Sequence, residues 1–125
     1  MKEQTEVGKL KEGRYVVIDE EPCKIVGMAV SKPGKHGAAK ARIDAIGIFD
    51  GLKRSIVQPV SAKVYVPIVE RKSGQVISIS GDVAQIMDVK DYAMFELSVP
   101  EEMRSRIEVG KEYTYIESMG KRKFD

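Results

Sequence analysis

Apolar residues in this chain come in short β-branched runs, interrupted by turn-forming residues. β-branched runs at this short, regular spacing read as strands of small barrels or sandwiches. "RYVVID" (14–19) and "CKIVGMAV" (23–30) flank the turn-like "EEP". "ARIDAIGIF" (41–49) alternates, which puts Ile43 and Ala45 on one face and Arg42 and Asp44 on the other. Asp50-Gly51 then predicts a hairpin turn into "KRSIVQ" (53–58), because both residues tolerate positive φ. "KVYVPIVE" (63–70) is the next strand, and Pro67 places it at an edge or near a strand end. A turn is predicted at Ser73-Gly74, followed by strands at "QVISIS" (75–80), "VAQIMDV" (83–89), "AMFELSV" (93–99) and "KEYTYIESM" (111–119).

One segment has helical rather than strand signals. "PEEMRSRIEVG" (100–110) opens on Pro100, places Glu101 and Glu102 in its first turn and stops before Gly110. Met103 and Ile107 are four apart, so a short helix is expected there.

Charge divides the 125 residues. Residues 1–69 hold 12 Lys/Arg and 8 Asp/Glu, a balance of +4, whereas residues 70–125 hold 9 and 11, a balance of −2. A boundary near "VERKSG" (69–74) follows, giving units 1–69 and 70–125. Units this small have little core, and closure into barrels removes exposed strand edges. Five strands with a short helix suit an OB-type barrel in the second unit.

Several function classes lose support. No apolar stretch is long enough for a membrane span, and the polar N-terminus does not have the form of a secretory signal. The lone Cys23 fits a reducing cytosol. With Ala29 and His36 where a nucleotide P-loop needs Gly and Ser or Thr, "GK" at 34–35 is not that motif. One His and one Cys do not make a usual zinc site, and no metal or cofactor is expected. A Cys23–His36 nucleophile pair is conceivable, but Cys23 in its apolar strand is read as a buried structural thiol. Glu101 and Glu102 are accounted for by a helix start, so no catalytic constellation stands behind an enzyme.

What remains is "SKPGKHGAAKAR" (31–42), which has three lysines, an arginine, the only histidine and no acid. It links two strands by more residues than a tight hairpin needs. Gly34 and Gly37 permit positive φ or a partner's close approach around Lys35 and His36, and Pro33 stiffens one limb. Lys32, Lys35, Lys40 and Arg42 have phosphate as their natural complement.

This stretch resembles the hypusine loop of the translation initiation factor 5A family, the eukaryotic and archaeal relatives of bacterial elongation factor P. "PCKIVGM" before it and "IGIFDGLK" after it resemble the flanking strands, and the resemblance spans essentially the whole chain. Ala39, where eukaryotic members usually have histidine, and the ending "GKRKFD" resemble the archaeal type. The resemblance implies an all-β fold of two small barrels: an SH3-like N-terminal domain (1–69) carrying the loop and a C-terminal OB-fold (70–125). It implies that Lys35 is the modified residue, within a modification loop of Ser31, Lys32, Pro33, Gly34, His36 and Gly37. The resemblance implies that deoxyhypusine synthase transfers an aminobutyl group from spermidine to the lysine ε-amine, giving deoxyhypusine, which in many organisms a hydroxylase then completes to hypusine. It further implies a cytoplasmic, monomeric translation factor, not an enzyme, that binds the ribosome beside ribosomal RNA and peptidyl-tRNA. There it promotes peptide-bond formation on stalled, often proline-rich, nascent chains. Lys32, Lys40 and Arg42 would steady the loop through phosphate contacts. His36 would be either a donor or stacking surface beside Lys35, or a loop residue fixed by a backbone hydrogen bond.

The main rival is a general RNA-binding module whose OB surface stacks bases. Tyr92, Phe95, Tyr113, Tyr115 and Phe124 are its aromatics, and Tyr113 and Tyr115 share a strand face. Core is favoured for that pair, since a small barrel has few other large side chains to fill it. A small nuclease ranks third and would need carboxylates gathered by the fold.

Overall fold

Val16 and Ile18, Cys23 and Ile25, and Ala41, Ile43 and Ala45 are buried at alternate positions, and this alternation makes the first half of the chain a sheet with one covered face. The structure, a computed structural model, describes residues 2–32 and 39–125. The chain divides into two compact units, 1–68 and 69–125, and each sheet lies wholly within one of them.

The first unit contains β1 (Lys2–Glu6), a 3-10 turn (Val7–Lys9), β2 (Tyr15–Ile18), β3 (Glu21–Ser31), β4 (Lys40–Gly47), β5 (Lys53–Pro59) and β6 (Lys63–Pro67). β2-β3-β4-β5 form an antiparallel sheet and β1 pairs with β6, together a half-barrel of the SH3-like kind. Val7 and Leu10 complete the core. Asp19 and Glu20, both at positive φ, form the two-residue turn between β2 and β3. The turn thus falls earlier than "EEP", and Glu21 and Pro22 belong to β3. A register shift between Ile25 and Gly27 leaves Val26 outside the pairing and exposed. Pro67 closes β6 opposite Lys2, at the strand end expected of it.

The Asp50-Gly51 turn joins β4 to β5 as expected, with Gly51 at φ +68°. Asp50 Oδ1 accepts the Leu52 amide at 2.9 Å, and the two carboxylate oxygens take the Arg54 guanidinium at 3.1 and 2.8 Å. Gly47 makes room for this: a Cβ there would stand 2.0 Å from Asp50 Oδ1.

The second unit contains β7 (Glu70–Ser80), β8 (Val83–Asp88), β9 (Met94–Ser98), a 3-10 turn (Glu101–Met103), β10 (Glu112–Ser118) and β11 (Lys121–Phe124). The sheet order is β11-β10-β7-β8-β9, with β11 against β9, so the OB-fold barrel nearly closes. Val76, Ala84, Ile86, Leu97, Val99 and Tyr115 form its core with Met103 and Phe124.

Two expectations are corrected here. Ser73-Gly74 is not a turn but the middle of β7, with Ser73 paired to Thr114 and Gly74 to Tyr113. Gly74 serves packing: a Cβ would stand 2.3 Å from Ile86 Cγ2. The helix expected at about 100–107 shrinks to a single 3-10 turn, closed by Met103 N–H to Pro100 O at 2.9 Å. Nucleating a longer helix is costly for so short a segment. The chain is instead drawn back to β7, where Gly110 N–H reaches Val76 O at 2.8 Å and Val76 N–H reaches Lys111 O at 2.9 Å. Among the described residues, no helix is long and apolar enough to cross a membrane.

Candidate functional site

The segment singled out by charge hangs between β3 and β4. These strands stay paired to their ends, with Val30 opposite Ala41 and Ser31 opposite Lys40. Pro33, Gly34, Lys35, His36 and Gly37 lie outside the described residues; Ser31, Lys32, Lys40 and Arg42 lie within them. On the C-terminal limb, Val60 N–H donates to Ala39 O at 3.0 Å, and Val60 O accepts from Gly8 at 2.9 Å. A Cβ on Gly8 would press on Val60 at 3.2 Å, so glycine permits this close approach. The base of the segment is therefore fixed by the turn between β5 and β6 and by the 3-10 turn.

Strand register sets which cations share a surface. On the outward face the rows across β3, β4 and β5 are Ser31–Lys40–Pro59, Ala29–Arg42–Val57, Gly27–Asp44–Ser55 and Lys24–Ile46–Lys53. From the first row to the last is about 20 Å at roughly 3.3 Å per residue. Lys32, Lys40, Lys24 and Lys53 are exposed and make no ion pair among the described residues. Arg42 differs: its Nε lies 3.3 Å from Asp44 Oδ1, and Asp44 also accepts the Ser55 hydroxyl. The hydroxyl first, then Arg42, hold the Asp44 carboxyl below its ordinary value, so it stays ionised. Asp44 is the one anion in these rows, and it partly cancels Arg42.

Lys24 and Lys53 were not among the expected contacts. Lys24 alternates with the buried Cys23 and Ile25, which marks it as outward; the register that places Lys53 in its row, across Ile46, cannot be read from either strand alone.

The other candidates fall into place. Cys23 is fully buried, its thiol within 3.4 Å of Glu21 O, and burial pushes its pKa up. That is an inert structural thiol. Tyr115 is buried and donates to Asp88, while Tyr113 packs edge-on against Phe124 with its hydroxyl accepting the Glu108 amide at 2.9 Å. Tyr115 is a core residue and Tyr113 is partly buried against that core, so the pair does not present two free rings for base stacking. Among the described residues no three His, Cys, Asp or Glu side chains gather as a metal site.

Two family models divide the chain at the same place. Residues 2–62 match the N-terminal model of translation initiation factor 5A-like proteins, and residues 68–124 match the model described as eukaryotic elongation factor 5A hypusine, DNA-binding OB fold. The chain belongs to the translation initiation factor 5A family. Relatives named translation initiation factor 5A include that of Methanoregula boonei, 77% identical with 100% of both chains covered. That of Archaeoglobus fulgidus is 66% identical over 100% of this chain and 98% of its own. The solved structure of the factor from Methanococcus jannaschii matches with a TM-score of 0.89 and 51% identity, covering 99% of this chain and 92% of that one. The family resemblance expected from "GKHG" and its flanks therefore holds, and with it a role as a translation factor.

Proposed function

We propose that this translation factor binds the ribosome and, through a hypusine or deoxyhypusine side chain on Lys35, promotes peptide-bond formation on nascent chains that react poorly, proline-rich ones included. The observation that supports this reading is the anchored hairpin: β3 and β4 pair as far as Ser31 and Lys40, and Val60 ties down Ala39. A firm base fixes where the segment leaves and rejoins the sheet, and so where a modifying enzyme and a binding site would meet it. Deoxyhypusine synthase is the proposed modifier, with spermidine as the aminobutyl donor. The modified lysine carries a second amine at the end of a longer chain, a thin cation able to enter an RNA-lined site. Lys32, Lys40 and Arg42 would contact phosphates of ribosomal RNA or peptidyl-tRNA, which position without reading sequence. Holding the tRNA end in place lowers an entropic barrier in a reaction catalysed by the ribosome; the chain itself is not an enzyme in this scheme. It acts in the cytoplasm as a monomer.

Lys35→Arg tests the proposal. Arginine keeps the charge but has no ε-amine to accept the aminobutyl group. The variant should fold normally, lack the added mass seen on native protein, and fail to support synthesis of a proline-rich peptide. Activity equal to that of the native, modified protein would favour a general basic RNA-binding loop instead.

A further inference from the structure

We infer that the N-terminal unit carries a second binding site, for one nucleotide of a single-stranded RNA. A cavity of about 380 Å³ opens in that unit. Lys9, Lys11 and Arg14 stand around it, Tyr15 and Leu10 supply apolar surface, and Glu3 is the one carboxylate in its lining. The volume lies near the lower end of the range of about 300–1,000 Å³ for small-ligand sites, room for a nucleotide unit.

Charge selects an anion. Lys11 and Arg14 make no ion pair among the described residues, and Lys9 has only a long contact, 3.9 Å, with Glu6 from a largely exposed side chain. The nearby Glu12 turns to β3, where its Oε1 accepts the Met28 amide at 3.3 Å, and it does not line the cavity. Tyr15 adds a second requirement. It is half-buried, and its hydroxyl makes no hydrogen bond among the described residues. An aromatic ring among cations suits a base and its phosphate, since every base has a π-face and the backbone is anionic. An acidic peptide would satisfy the cations but offers no planar partner for the ring.

The site is also preformed. Gly13, at φ +82°, donates its amide to Ile25 O at 2.9 Å, and Arg14 O accepts from Ile25 at 2.8 Å. Arg14 N–H closes the turn on Lys11 O at 3.1 Å. These bonds pin the backbone of residues 11–14 to β3, so the two exposed cationic side chains start from fixed positions beside Tyr15.

The test uses the full chain unmodified at Lys35, so its outcome is independent of the function proposed above. Titrating adenosine monophosphate should move the amide resonances of Leu10, Lys11, Arg14 and Tyr15. The double substitution Lys11→Glu, Arg14→Glu should weaken binding of a single-stranded RNA octamer at least about tenfold, and lower the salt slope by about 1.4 for two lost contacts. Tyr15→Leu should also weaken binding, whereas Tyr15→Phe keeps it. The inference is overturned if folded charge variants bind with unchanged affinity and slope. It is equally overturned if the shifts fall elsewhere, or if hexaglutamate displaces the octamer as well as a competing RNA does, which would mark an acidic-protein dock.

Discussion

The amide of Val60 donates to the carbonyl of Ala39 at 3.0 Å, linking the turn between β5 and β6 to the C-terminal limb of the basic segment. Val60→Pro deletes that donor. The expected result is a folded protein destabilised by about 1–3 kcal/mol, from the lost bond and any misfit of the ring. Amide exchange at Lys40 and Ala41 should quicken, while the second unit stays protected. Unchanged exchange at those two amides would show that the bond does not hold the limb.

Asp44 and Arg42 yield a prediction about RNA affinity. Asp44→Asn removes the anion beside Arg42 while keeping a group that can bond Ser55. Affinity for ribosomes should rise and the salt dependence steepen, because Arg42 gains full charge toward phosphate. Lys40→Ala should do the opposite. Salt titrations of both variants check the pair, and identical slopes would remove Lys40 and Arg42 from the interface.

The turn glycines separate two roles of glycine. At Gly47 an added Cβ would meet Asp50 Oδ1 at 2.0 Å and Arg54 Nη1 at 2.8 Å, so Gly47→Ala must displace the fork that closes the hairpin. A loss of about 2–3 kcal/mol in denaturant unfolding is expected. Gly51 has open space around it, and its positive φ is one that asparagine tolerates. Gly51→Asn should cost well under about 1 kcal/mol. Equal costs at the two positions would contradict the packing role of Gly47.

What the sequence made legible follows from period and chemistry. Strands with one buried face announce themselves, as "ARIDAIG" does through Ile43 and Ala45. β1 and β11, "KEQTE" and "KRKF", do not: apart from Phe124 their residues are charged or polar, so only tertiary pairing to β6 and β10 makes them strands. Gly74 misled because a glycine beside a serine has the composition of a turn, while its need for space comes from Ile86, a residue on the neighbouring strand. The end signals at Pro100 and Gly110 were real, but they bound a 3-10 turn and an irregular return to β7. In the basic segment, the cations were legible and their grouping was not. Asp44 lies two residues from Arg42 and so on its face of the strand, a signal available from the sequence. The placing of Lys24 and Lys53 in one row, either side of Ile46, needed the register.

The buried polar pair of the second unit gives the pH prediction. Tyr115 donates to Asp88 Oδ2, while Oδ1 accepts the amides of Lys90 at 2.8 Å and Asp91 at 3.1 Å. The phenol contributes most and the amides add to it; against the opposing effect of burial they hold the Asp88 carboxyl down at about 2. A depressed folded pKa contributes stability that is complete above the unfolded value, near 3.8, and is lost as pH falls from there through about 2. The contribution is on the order of 2 kcal/mol. Tyr115→Phe removes the largest cause and leaves a buried carboxylate short of one donor, at a cost of about 1–3 kcal/mol at neutral pH. The gap in stability between native protein and variant should therefore be widest above pH 5 and shrink between pH 4 and pH 2, as Asp88 takes up its proton. Urea unfolding at stepped pH measures it. A gap that stays constant over that range would assign the loss to packing of the phenol and remove Asp88 from the account.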